Sequence, residues 1–188
     1  MSGPQKVKDI TVPPLPKRNE AIKLLKDIGC HEKVIEHCMA VADFAAVIAK
    51  RLGDRGVKVD LDLVRTGALL HDIGRSRSHG IDHAVVGAAL AKKLGLDPAI
   101  VKIIERHIGA GIPADEAVKL GLPRKNYMPR TIEEKIVTHA DNMCNDKRHP
   151  VERTIDRLLE KGQIIAADRM RKLHKELSDM AGIDLNEL

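Results

Sequence analysis

The sequence predicts an all-α fold: one helical domain of seven or eight helices. Three observations carry this. From residue 17 onward, apolar residues recur at three-and-four spacing almost without a break. No segment sustains the alternation of a half-buried strand. Glycines and prolines fall where helices of ordinary length should start and stop.

The elements follow in order. Residues 1–16 read as a Pro-rich extended arm, because Pro4, Pro13, Pro14 and Pro16 forbid a regular helix. Helices are predicted near 17–28, 31–53, 60–74, 82–94, 97–109, 113–120, 131–145 and 150–178. Gly29, Gly53, Gly74 and Gly95 stand as the stops of the first four. Asp82 and Asp97 are candidate N-caps, and Pro98 follows Asp97 at the first helical position. The stretch 121–130, "GLPRKNYMPR", is the clearest internal loop. The expected division is the arm at 1–16, a helical domain at 17–149 and a C-terminal helix at 150–188 that packs on or extends it.

Composition narrows the class. Of 188 residues, 43% are hydrophobic, yet the aromatics are only Phe44 and Tyr127, so the core must be built from Leu, Ile, Val, Ala and Met. That scarcity argues against sequence-tolerant binding of single strands, which uses aromatic stacking platforms. No apolar run is long enough to span a membrane, and the polar start has no signal-peptide core. The expected location is cytoplasmic. Cys30, Cys38 and Cys144 form no C-x-x-C pair and read as small buried hydrophobes. A net charge of +5 favours anionic ligands without identifying one.

The stretch "ALLHDIGRS" (68–76) poses a chemical problem. Leu61, Val64 and Ala68 form an apolar stripe that runs into His71, with Asp72 on the edge of the same face. A buried carboxylate needs a partner, a proton or a metal. Other stripes supply partners. His37 fills the missing position among Val34, Val41, Phe44 and Ile48. His83 precedes Val86, Leu90 and Leu94; His107 follows Ile100, Ile103 and Ile104; Asp141 shares a face with Val137 and Cys144. Six metal-ligand-type residues on inward stripes of five helices can satisfy one another through a bound cation, as in other helical metal sites. Imidazole and carboxylate suit iron, manganese, nickel, cobalt or zinc. The remaining histidines, His31, His79, His139, His149 and His174, read as residues at the surface or beside the site.

The order "HCMAVADFA", "GALLHDIGRS", "HAVVGAAL", "IIERH", "HADN" resembles the HD superfamily of metal-dependent phosphohydrolases, from about Cys30 to Asn145. It is similar to the HDIG-type branch, including archaeal proteins with the "HDIGR" run, and in layout to two-metal bacterial diadenosine tetraphosphate hydrolases. It lacks the "HHE…GYP" signature of cyclic-di-GMP hydrolases, with "ERHIGAGIP" in that place. The resemblance implies that His37, His71, Asp72 and Asp141 bind one metal. It also implies that His83 and His107 hold a second, bridged by Asp72.

The implied cofactor is therefore two divalent transition-metal ions per chain. The implied chemistry is attack of metal-activated water on a phosphate ester, with His71 and Asp72 at its centre. The implied substrate is a nucleotide, a dinucleotide or an RNA-terminal phosphate, with no membrane partner. Arg75, Arg77 and His79 in "GRSRSHGID" are candidates for substrate contact, because guanidinium groups bind phosphate through paired hydrogen bonds. Arg75 follows the proposed helix stop and is expected to project unpaired from a loop, with a catalytic contribution through phosphate recognition. The basic residues of 124–130 are expected to rim the pocket, and Tyr127 to pack. Two competing readings are a nucleotide-binding sensor without catalysis and a di-iron oxygenase on the same scaffold.

Overall fold

The computed structural model describes residues 10–145 and 147–188; residues 1–9 of the predicted arm lie outside the described residues. Among the described residues there are nine α-helices and no β-strand. They are α1 (Arg18–Asp27), α2 (Glu32–Asp54), α3 (Leu61–Leu70), α4 (His83–Lys93), α5 (Pro98–Arg106), α6 (Ala114–Lys119), α7 (Ile132–Asn142), α8 (Val151–Glu160) and α9 (Ile164–Ala181). The ninth arises because the single helix expected over 150–178 is two. Gly162 adopts a left-handed φ of +70°, a conformation that stops a helix at little cost only with glycine. The chain reverses there, and α9 packs back on α8.

The 23-residue α2 is the spine of the fold. It buries Ile35, Val41, Ala45, Ile48 and Leu52 and packs chiefly against α3 and α7. The short α3 is buried on most of its circumference, through Val64, Thr66, Ala68, Leu69 and Leu70. That leaves its C-terminal end inside the protein. The largest fully buried side chains are leucines and isoleucines, as the lack of aromatics requires. The end of the arm is docked: Asp97 N donates to Pro14 O (2.8 Å) and Thr66 Oγ1 to Pro16 O (3.0 Å). Arg106 is buried and donates to both oxygens of Glu134 at 2.9 Å, tying the end of α5 to the start of α7.

Three expected boundaries shift, each for a local reason. The helix expected over 60–74 ends at Leu70, and a 3-10 turn follows over Ile73–Ser76. Gly74 is not a left-handed helix stop. A Cβ there would collide with the backbone oxygen of His83 and stand 2.7 Å from Gly87 N, so the backbones of two elements touch at this glycine. Gly53 lies inside α2, and the left-handed residue is Gly56, with φ +84°. Asp97 caps α5 by accepting from Ala99 N, whereas Asp82 makes no cap bond and accepts from Ser78 Oγ.

Candidate metal centre

Three of the six predicted residues sit at helix termini. His71 follows the last residue of α3, His83 is the first residue of α4, and His107 follows the last residue of α5. Helix C-termini leave backbone carbonyls without intrahelical partners, and His71 and His107 each use one; His83 uses the carbonyl of Gly80 in the turn before α4. His71 Nδ1 lies 2.7 Å from Ala68 O, His83 Nδ1 2.7 Å from Gly80 O and His107 Nδ1 2.8 Å from Ile104 O. A carbonyl can only accept, so each Nδ1 carries the hydrogen and donates it. In the neutral imidazole this leaves a bare lone pair on each Nε2.

Those lone pairs converge with two carboxylates. His37 Nε2, from the middle of α2, stands 3.0 Å from Asp141 Oδ1 on α7. His71 Nε2 is 3.4 Å from the same oxygen and 3.8 Å from Asp72 Oδ2. Asp72 Oδ1 faces the other way, 3.0 Å from His83 Nε2 and 3.5 Å from His107 Nε2. His83 Nε2 and His107 Nε2 are 3.1 Å apart. The structure thus brings all six predicted residues together, with Asp72 turning one oxygen to each half.

The set fits a bound cation on structural grounds. His71 Nε2 and Asp72 Oδ1 are buried and make no hydrogen bond, a costly state for polar atoms. Two ligand groups have donor atoms close enough to share an ion: His37, His71 and Asp141, and His71, Asp72 and His107. The electrostatics agree. Burial works against ionisation of Asp72, yet the imidazoles of His71, His107 and His83 hold its carboxyl well below the usual range. Asp141 is likewise held low against its burial, by His71 and by the hydrogen bond with His37. Burial disfavours a charged His71, but Cys38, Asp72 and Asp141 together raise its pKa. The centre is a place where positive charge is stabilised.

Arg75 is not the unpaired loop cation expected from the sequence. Its Nε donates to Asp72 Oδ2 at 3.0 Å and its Nη1 to His79 O at 3.2 Å. The 3-10 turn after Asp72 folds the guanidinium back onto the carboxylate. Arg77 and His79 are exposed and outside the cavity at the centre. The basic loop does not rim it either: Arg124 pairs with Asp115 and Lys125 with Glu105. Tyr127 packs in a separate small cluster with Ile112, Ala117 and Leu122, its hydroxyl donating to Pro123 O. Two histidines expected near the surface or beside the site are buried, His139 against His174 (3.2 Å) and His149 against Asn145 (3.0 Å).

A cavity of about 250 Å³ opens over the centre. Besides five of the six residues and Arg75, its walls include Asn142, Asn145, Thr154 and Arg157. The last two come from α8 and carried no signal in sequence spacing, because only the turn after α7 brings α8 over the site. A larger cavity of about 670 Å³ lies between the arm and α2–α3, lined by Leu15, Arg18, Asp43 and Arg65 among others. It holds none of the six residues, so the smaller one is the chemically equipped site.

The HD domain family profile matches residues 34–146, more than half of the chain. The chain belongs to the HD domain family. An uncharacterized protein of Methanocaldococcus jannaschii is 55% identical over 124 residues, covering 66% of this chain and 73% of that protein. The tRNA (cytidine(56)-2'-O)-methyltransferase of Thermoplasma volcanium is 46% identical over 175 residues, covering 93% of this chain and 50% of that enzyme. The chain therefore spans about half the length of that relative. Among solved structures, the HD domain of the L. monocytogenes phosphodiesterase PgpH in complex with cyclic-di-AMP superposes with a TM-score of 0.55. It has 19% identity and covers 85% of this chain and 96% of that one. At that identity the likeness establishes the HD fold. The HD match ends before α8, so Thr154 and Arg157 lie outside it. Among the described residues no helix is long and apolar enough to cross a membrane.

Proposed function

We propose that this HD protein is a metal-dependent phosphohydrolase that binds two divalent transition-metal ions and cleaves a phosphate ester of a nucleotide or of an RNA end. The observation that carries the reading is Asp72. Its carboxylate is buried, ionised, and turns one oxygen to His71 and the other to His83 and His107. His37, His71 and Asp141 would hold one ion, and His83 and His107 the other, with Asp72 shared. Ions held there supply Lewis acidity and an activated water at neutral pH.

The chain's own residues do the rest. The Nδ1–H bonds lock the ring orientation of His71, His83 and His107, so the lone pairs are aimed before anything binds. Arg75 fixes the rotation of the Asp72 carboxylate. The cavity is smaller than the ~300–1,000 Å³ typical of pockets that enclose a whole ligand. It admits a phosphoryl group and leaves the rest of the substrate outside. Among the described residues no Phe, Tyr or Trp lines it to grip a base, and its imidazoles belong to the ligand set. These features, with the tRNA-modifying name of a relative that shares this domain, favour the phosphorylated end of a longer molecule. The intact set of six residues supports catalysis over mere sensing.

The test is metal analysis followed by hydrolysis of p-nitrophenyl phosphate, bis(p-nitrophenyl) phosphate, cyclic and linear dinucleotides, and RNAs with 2'-, 3'- or 5'-terminal phosphates. We expect about two ions per chain, activity on at least one of these substrates, and loss of both in Asp72→Ala. Full activity of Asp72→Ala in metal-free buffer would overturn the reading.

A further inference from the structure

The hydrogen-bond donors around the cavity are almost all committed. Asn142 gives its Nδ2 hydrogens to Gly109 O (2.8 Å) and Thr138 O (2.7 Å). Thr154 Oγ1 donates to Asn142 O at 2.7 Å. Asn145 Nδ2 faces His149 Nε2 at 3.0 Å. Arg75 is anchored on Asp72 and His79. Arg157 differs from all of these. It lines the same cavity from α8, is exposed, and forms no hydrogen bond or ion pair with any described residue. Its helix neighbours one turn away, Arg153 and Lys161, are cations, and Glu160 does not engage it. An arginine whose fork engages no described residue, at the mouth of a cavity, has the donor geometry that matches a phosphate.

We infer that Arg157 forms a phosphate-binding subsite on the α8–α9 hairpin, receiving a non-bridging oxygen of a substrate phosphoryl group that enters the cavity. The inference rests on the hydrolase reading for the identity of the ligand, but not for the contact itself. It divides the two arginines of the cavity: Arg75 positions a carboxylate, and Arg157 contacts the substrate. It also gives the C-terminal hairpin, which lies beyond the HD match, a function in the site.

Isothermal titration calorimetry with inorganic phosphate, on the protein as purified, tests this. Metal content is counted separately on each sample. Arg157→Gln is expected to weaken phosphate binding about 10- to 150-fold, the range of a charge-assisted hydrogen bond. Metal content and melting temperature should stay at wild-type values. Arg157→Lys should recover part of the affinity, as a point charge without the fork. Arg153→Gln, on the same helix but outside this cavity, should bind like wild type. Equal affinities for wild type and Arg157→Gln overturn the subsite, as does a wild type that binds no phosphate. A protein without metal overturns the hydrolase reading and leaves the Arg157 comparison standing. Phosphate binding without turnover on any substrate does the same.

Discussion

The two ends of the histidine–aspartate cluster are built differently. At one end, His37 projects from within the long α2 and Asp141 from the last turn of α7; both remain about one-fifth exposed and satisfy each other through a 3.0 Å hydrogen bond. At the other, His83 and His107 are buried at helix termini. Their Nδ1 hydrogens are spent on carbonyls and their bare Nε2 atoms are 3.1 Å apart. The first end, at its His37–Asp141 pair, is self-consistent without an ion, although His71 Nε2 beside it makes no hydrogen bond. The second is not: two lone pairs face each other across a gap that only a proton or a metal can relieve. The preorganisation that makes the second end a good ligand pair is thus a local cost to the empty fold.

Gly74 holds the two ends in register, and changing it should have the largest effect. The turn carrying His71 and Asp72 rests on the backbone of α4, which carries His83. In Gly74→Ala the new methyl meets the His83 carbonyl and the Gly87 amide, neither of which can rotate away. We expect a loss of at least about 3 kcal/mol in stability, the upper end of overpacking costs. Folded protein should lose metal at the His83–His107 end first. Urea unfolding and metal counting check this. A fully stable, fully loaded Gly74→Ala would show that the turn moves freely against α4, and that the ends are not coupled through it.

Arg75 comes next, because it clamps the residue the two ends share. Removing an outer partner of a metal ligand typically weakens metal binding about 10- to 100-fold. Arg75→Ala should show that loss in competition with a chelating dye, at both ends together. Its effect on stability should be about 1–2 kcal/mol, because Asp72 is buried and loses a charged donor, while the partial exposure of Arg75 reduces the cost. Tighter metal binding in Arg75→Ala would mean that repulsion between guanidinium and ion outweighs the positioning of Asp72.

Much of this site is legible in the sequence, for a physical reason. A polar residue on an inward stripe must be satisfied, and six of them on five stripes leave few solutions. Periodicity therefore finds His37, His71, Asp72, His83, His107 and Asp141, and the structure brings them together. Periodicity treats a helix as continuous, so it runs 60–74 and 97–109 past His71 and His107, where α3 and α5 end, although it does place His83 at the start of its helix. It also reads Gly74 as a stop when the glycine is there for a backbone contact. Side-chain direction in loops has no period at all. Hence the sequence leaves Arg75 free where the structure binds it to Asp72, puts the cations of 124–130 at the rim where Arg124 and Lys125 pair elsewhere, and carries no signal for Arg157. The break at Gly162 was in plain view as a glycine, but the strong apolar pattern on both sides of it read as one helix.

The smallest effect is also the sharpest test of the comparison, because its sign differs between the ends. In metal-free protein, His37→Leu removes the partner of Asp141 and should cost about 1 kcal/mol, the usual net value of a hydrogen bond. His107→Leu removes two things that oppose each other. It loses the Nδ1–H bond to Ile104 O, a cost of about 1 kcal/mol, and it removes the lone-pair conflict with His83. Leucine also buries more favourably than imidazole at this enclosed position. The net change should therefore lie within about 0.5 kcal/mol of zero, against a clear loss for His37→Leu. Adding metal should invert the order at the buried end. On the two-ion proposal, wild type would gain stability from both ions, whereas His107→Leu would gain from one, so its deficit should appear only when metal is present. Urea midpoints with chelator and with saturating metal give all four numbers. If His107→Leu loses as much as His37→Leu without metal, the buried pair is already satisfied, by a proton shared between the two Nε2 atoms. The contrast between the ends would then disappear.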